Sequence, residues 1–126
     1  MELLLDTQVL LWWDEKPESL NDAARSAIRD PNNDVFVSSV SVWEIAIKRK
    51  LGRLHFSGSP VEMIGRNGFF PLPILPLHAE HAGALPSLHS DPFDRMLVAQ
   101  AQLNSMTLVT ADRKITSYAV AKLWAR

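Results

Sequence analysis

The chain has 126 residues and a formal net charge of −1, with 47% of residues hydrophobic and 21% charged. That balance fits one globular domain large enough to bury a core without a disulfide or structural metal, and it excludes disorder over most of the length. With no cysteine, thiolate catalysis, zinc fingers, iron–sulfur clusters and disulfide scaffolds are excluded, and the near-neutral charge leaves any nucleic-acid contact to a local basic patch. The start, Met1-Glu2 and a short apolar run, has neither the basic opening of a secretory signal nor the length of a membrane span, so a cytoplasmic location is expected.

Residues 2–5 form a short apolar run that gives way to Asp6-Thr7 and helical spacing through Leu10, Leu11 and Trp12, which predicts a strand running into a helix. Asn21 suits the N-cap of a helix reaching Ile28. The turn signal Asp30-Pro31-Asn32-Asn33 precedes a second strand over residues 34–37. Residues 41–50 are expected to be helical, ending at Gly52. Residues 52–76 hold four of the five glycines and read as a connection carrying one short helix, with a brief third strand near Pro73-Ile74-Leu75. Helices over 77–85 and 94–104 follow, then a fourth strand at Thr107-Leu108-Val109, a helical turn, and a last strand in 119–123. Short, wholly apolar strands alternating with amphipathic helices predict an α/β fold, with a parallel sheet covered on both faces. In such sheets function collects at the carboxyl ends of the strands, where strand order reverses.

Four acids stand just past these strands or open a helix beside one: Asp6, Glu44, Asp94 and Asp112. Each has an ordinary explanation when taken alone. Ser41-Val42-Trp43-Glu44 has the spacing of a capping box with Ser41 as N-cap. Asp91-Pro92-Phe93-Asp94 suits a helix start, with Asp91 as N-cap, Pro92 first and Asp94 facing the dipole. Asp6 and Asp112 suit N-caps as well. Taken together, they are delivered by a parallel sheet to one edge. Glu44 lies among Val40, Val42, Trp43, Ile45 and Ile47, where an unpaired charge is costly, and neighbouring carboxylates repel until some take up protons. A divalent cation removes that conflict, and an oxygen donor set suits Mg²⁺ or Mn²⁺ and phosphoryl-ester chemistry.

Asp6-Thr7, residues 39–44, Asp91-Pro92-Phe93-Asp94-Arg95-Met96-Leu97-Val98-Ala99-Gln100-Ala101 and Leu108-Val109-Thr110-Ala111-Asp112 resemble the motifs of PIN-domain ribonucleases. Among these they are most similar to the VapC toxins of bacterial and archaeal toxin–antitoxin pairs. The resemblance runs from Asp6 to about Lys114, and its Asp-Pro-Phe-Asp-Arg segment is the most specific part. It implies a single PIN-like domain over residues 1–126, with a mainly parallel five-stranded sheet flanked by helices. It also implies Mg²⁺- or Mn²⁺-dependent endonucleolytic cleavage of a structured RNA such as tRNA or rRNA, a homodimer, and a cognate antitoxin whose C-terminal segment covers the site. The family's metal-binding acids fall on Asp6, Glu44, Asp94 and Asp112, and its small hydroxyl residue falls on Thr110, with Thr7 a second candidate. Asp91, on the same helix face as Asp94, is a further candidate ligand.

The basic cluster Lys48-Arg49-Lys50 with Arg53 is either a solvated helix end or a phosphate-contacting patch beside the acids. Arg95, next to Asp94, is expected to pair with an acid or contact substrate. His78, His81, His89 and Glu80 match no short metal motif, so zinc is not expected. Trp12, Trp13, Trp43, Phe69 and Phe70 read mainly as packing residues, with Trp12, Phe69 or Phe70 the alternatives for a groove or dimer face. Two other readings stand beside the nuclease. One is a catalytically weak PIN domain that binds RNA or a protein. The other is a small-molecule phosphatase, for which Asp6-Thr7-Gln8 lacks the second aspartate.

Overall fold

Leu3, Leu4 and Leu5 are all fully buried, although successive residues of a strand point to opposite faces. Both faces of the sheet must therefore be covered. Leu3 and Leu5 pack into one core with Val9, Leu10, Ala24, Ile28, Val35 and Val37, whereas Leu4 packs into a second with Leu97, Val98, Leu108 and Ile115. Burial of such a side chain contributes roughly 2 kcal/mol.

The computed structural model describes all 126 residues. In chain order they form β1 (Glu2–Leu5), α1 (Thr7–Glu15), a 3-10 turn (Pro17–Ser19), α2 (Asp22–Arg29), β2 (Asp34–Ser38), α3 (Ser39–Lys50) and α4 (Pro60–Arg66). There follow β3 (Phe70–Leu72), α5 (Pro76–Ala84), α6 (Pro92–Leu103), β4 (Thr107–Thr110), a second 3-10 turn (Arg113–Ser117) and β5 (Lys122–Trp124). The sheet is wholly parallel, in the order β3-β2-β1-β4-β5, with Leu4 opposite Phe36 on one side and Leu108 on the other. The chain lays β2 and β3 to one side of β1, then returns to lay β4 and β5 on the other. Strand order thus reverses between β1 and β4, where a cleft is expected to open. Helices α1, α2 and α4 bury Leu10, Ile28 and Met63 in the first core, and α5 and α6 bury Ala82 and Leu97 in the second. Helix α3 serves both, through Ile45 and Val40. No helix is long and apolar enough to cross a membrane.

Several ends shift by one or two residues, α6 beginning at Pro92 and not at residue 94, and three differences have a clear physical reason. Helix α3 starts earlier, because Ser38 at the end of β2 is its N-cap and accepts the Val40 N–H at 3.0 Å. Ser41 is therefore inside the helix, and Glu44 belongs to no capping box. The third strand is Phe70–Leu72, pairing with Phe36, Val37 and Ser38, and not residues 73–75. Pro71 is tolerated there because β3 is an edge strand, while Pro73 has no N–H with which to extend the ladder. The last strand begins at Lys122, since the preceding residues are used in a turn whose Tyr118 and Val120 carbonyls accept from Lys122 Nζ at 2.8 and 3.0 Å.

The aromatic residues divide. Phe69 is core and lies 6.3 Å from Trp13, whereas Phe70 is exposed and lies 5.4 Å from Phe36. Trp12 is half-buried beneath Arg126. Trp43 is exposed and meets Phe93 edge-on at 5.5 Å, beside an apolar depression of about 400 Å³ that Trp12 and Phe69 do not line.

Candidate active site

Asp6 leaves β1 with its N–H bonded to the Val109 carbonyl at 3.0 Å, so the strand pairing itself fixes where this carboxylate sits. Its Oδ1 accepts the Val9 N–H at 2.8 Å, which caps α1. The capping role and the site position thus belong to one residue, with one oxygen for each. Its Oδ2 accepts the Thr110 hydroxyl at 2.5 Å. Thr110 ends β4, is fully buried, and its Oγ1 accepts the Asp112 N–H at 3.0 Å. A single hydroxyl therefore fixes both the Asp6 carboxylate and the turn that presents Asp112. Asp112 in turn accepts the Lys114 N–H at 3.0 Å and caps the second 3-10 turn.

Glu44 comes from the second turn of α3 and is 7% exposed, with Lys48 Nζ 2.5 Å from its Oε2 one helical turn on. Thr7 donates to Ser41 Oγ at 3.0 Å, a buried contact that ties α1 to α3 beneath the site. Asp91 caps α6 by accepting the Phe93 and Asp94 N–H groups at 2.8 and 3.3 Å, as its sequence position predicts, and Asp94 occupies the first turn. These segments enclose a cleft of about 290 Å³ lined by Asp6, Thr7, Gln8, Leu11, Glu44, Lys48, Arg53, Leu54, Asp91, Asp94 and Asp112. All four acids singled out in the sequence, with Asp91, reach it.

Asp6 and Glu44 are buried, and Asp94 and Asp112 are only partly exposed, so the cluster gathers carboxylates where solvation is reduced. Burial pushes Asp6 up to about 6, with the charges of Asp112 and Glu44 adding to the effect and the Thr110 hydroxyl and Val9 amide opposing it. Asp94 is pushed up to about 7, first by burial and then by the charge of Asp91, while the hydrogen bond from His89 acts in the other direction. Lys48 is held above the ordinary lysine value by its hydrogen bond to Glu44. A divalent cation bound here would offset the desolvation and the repulsion together, and the oxygen-rich donor set fits Mg²⁺ or Mn²⁺.

Other sequence expectations are redistributed. His78 and His81 lie outside the cleft: His78 Nδ1 accepts the Leu75 N–H at 3.0 Å, and His81 pairs with Gln102 at 2.7 Å. His89 alone reaches the acids, its Nε2 lying 2.8 Å from Asp94 Oδ2 and 3.3 Å from Asp112 Oδ2. The sequence reading weighed His89 with the other histidines and missed this. The available signal was its place in the loop just ahead of the α6 cap. Arg95, expected to pair with an acid or contact substrate, pairs with no acid. Its guanidinium donates to the Ala82, Leu85 and Pro86 carbonyls at 2.9 Å and to the His89 carbonyl at 3.3 Å. Of the basic cluster, Lys48 and Arg53 line the cleft. Arg49 instead donates to the Phe56 and Gly58 carbonyls at 3.1 and 2.7 Å, and Lys50 is exposed at the helix end.

The family model of the PIN domain matches residues 3–121. Ribonuclease VapC22 of Mycobacterium tuberculosis is 31% identical over 119 residues, which cover 92% of this chain and 91% of that protein. Among solved structures, VapBC2 from Rickettsia felis, bound to a DNA fragment from their promoter, superposes with a TM-score of 0.69 at 16% identity over 98% of each chain. A toxin–antitoxin complex from Klebsiella pneumoniae gives 0.68 at 18% identity, over 97% of this chain and 96% of its own. The matched segment holds β2, β3 and β4, most of β1 and every acid of the cleft, and the chain belongs to the PIN-domain family.

Proposed function

We propose that this chain is a divalent-metal-dependent endoribonuclease and the toxin of a toxin–antitoxin pair. The carrying observation is the convergence of Asp6, Glu44, Asp94 and Asp112, from four separate segments, on one cleft in which Asp6 and Asp94 titrate near neutrality. The identity with Ribonuclease VapC22 supports the choice of RNA over other phosphodiesters. The four acids would hold Mg²⁺ or Mn²⁺, with Asp91 at the margin. Such an ion would supply Lewis-acid activation of water and charge stabilisation for a leaving oxygen, so no side chain need be the nucleophile. The chain's own residues supply rigidity and charge. Val9 and Thr110 fix the Asp6 carboxylate, Thr7 and Ser41 fix α1 against α3, and Lys48 and Arg53 meet backbone phosphates without reading bases.

A structured RNA such as tRNA or rRNA is the substrate class in this reading. An antitoxin segment covers the cleft, the toxin forms a homodimer, and the pair works in the cytoplasm. The solved toxin–antitoxin complexes with the same fold support the antitoxin partner. The test is RNA cleavage by the purified chain with Mg²⁺ or Mn²⁺, with EDTA, and by Asp94→Asn, with circular dichroism to check the fold. Cleavage that persists in EDTA or in the variant refutes the mechanism. RNA binding that survives EDTA without any cleavage would make the domain a binding module instead.

A further inference from the structure

The inference drawn from His89 rests on the metal reading of the cleft and goes beyond its four acids. The Nε2 of His89 lies 2.8 Å from Asp94 Oδ2 and 3.3 Å from Asp112 Oδ2, and donor atoms of the three residues all fall within 4.8 Å of one another. Adjacent ligands of an octahedral ion with bonds of about 2.1 Å stand about 3 Å apart, so the two distances from His89 Nε2 match neighbouring coordination positions. The ring is also held in place. Its side chain is 8% exposed, its backbone N–H is bonded to the Tyr118 hydroxyl at 3.0 Å, and its carbonyl accepts from Arg95 at 3.3 Å. Tyr118 itself is buried and donates to the Pro86 carbonyl at 3.0 Å. Arg95 and Tyr118 together hold the segment that brings one imidazole nitrogen against Asp94 and Asp112.

We propose that His89 is a metal ligand through Nε2, alongside Asp94 and Asp112, and that the resulting mixed nitrogen–oxygen set makes this site selective for Mn²⁺ over Mg²⁺. Imidazole suits first-row transition ions, whereas Mg²⁺ holds oxygen ligands and gives up its waters reluctantly. Coordination would exchange the Nε2–H hydrogen bond to Asp94 for a bond to the ion, with the imidazole proton carried on Nδ1 in the metal-bound tautomer.

The test is pulsed electron paramagnetic resonance on the full chain loaded with Mn²⁺, with calorimetric titration of Mn²⁺ and of Mg²⁺. The wild type is expected to show a directly bound ¹⁴N coupling that changes to ¹⁵N when the protein is made with ¹⁵N-histidine. His89→Gln should lose the coupling. Its Mn²⁺ affinity should fall about tenfold or more, at least what loss of an outer-shell partner costs. Its Mg²⁺ affinity should stay within about threefold, because Mg²⁺ is held by oxygen. Bound Mn²⁺ without nitrogen coupling in the wild type, or a coupling that survives in His89→Gln, overturns the assignment and leaves the metal reading intact. Failure of the wild type to bind Mn²⁺ at all overturns both. The isotope experiment needs no variant, so it decides the matter even if His89→Gln folds poorly.

Discussion

Asp6→Asn should stabilise the metal-free domain above neutral pH and do the reverse in acid. Asp6 has an ordinary carboxyl value of 3.8 when unfolded and about 6 in the folded chain, chiefly because it is buried. A group raised in this way contributes its full stability below about pH 4 and loses it as pH rises through 6, which for this shift amounts to about 3 kcal/mol by pH 8. Asparagine does not titrate. Its Oδ1 can still accept from Val9, but its amide faces Thr110, whose hydroxyl hydrogen is then left without its acceptor at a cost of about 1 kcal/mol. The variant should therefore be about 1 kcal/mol less stable at pH 4 and about 2 kcal/mol more stable at pH 8. Loss of the Asp6 charge also relieves Asp94, with the same sign. The assay is urea unfolding followed by tryptophan fluorescence, in EDTA, at both pH values. Saturating Mg²⁺ at pH 8 should then raise the wild type by more than the variant, which lacks one of the four carboxylates. A difference between the two proteins that does not depend on pH would refute the reasoning, since burial of a charge would not then be what Asp6 contributes.

Three more outcomes are expected. Thr110→Val keeps the volume but removes the donor to Asp6 and the acceptor for Asp112. It should raise the Asp6 value above about 6 in a carboxyl NMR titration and cost about 2 kcal/mol, more at pH 8 than at pH 4.5. Arg95→Lys keeps the charge but not the five-donor fork, so several carbonyls at the end of α5 lose their partner; a loss of about 2 kcal/mol in urea unfolding is expected. Lys48→Met should weaken RNA binding across unrelated sequences and reduce the slope of log affinity against log salt by about one, and an unchanged slope would place this lysine off the phosphate path.

Much of this architecture could be read from local pattern. Three consecutive leucines followed by Asp-Thr predict a doubly covered strand and the acid at its end, and Asp91-Pro92 fixes the start of α6 because cap and proline chemistry is local. What escaped was what depends on partners distant in sequence. β3 is three residues long and contains Pro71, so its identity comes from pairing with β2 and not from propensity. Three serines before Glu44 made the α3 cap ambiguous, and the end of β2 decided it. His89 was legible as a histidine but not as a neighbour of Asp112, which lies 23 residues on and across the sheet edge. Arg95 beside Asp94 suggested an ion pair, yet in a helix consecutive side chains diverge, and Arg95 reaches the other way to a set of carbonyls.

Arg95 stands one residue beyond Asp94 on α6 and fastens the segment that carries His89. One bank of the cleft is thereby a single stiff piece, with helix and loop riveted together. In the proposed nuclease, polyanions of differing outline would be met by the long side chains of Lys48 and Arg53, which also line the cleft. An anvil on one side and fingers on the other would let the cutting geometry stay constant while the grip varies.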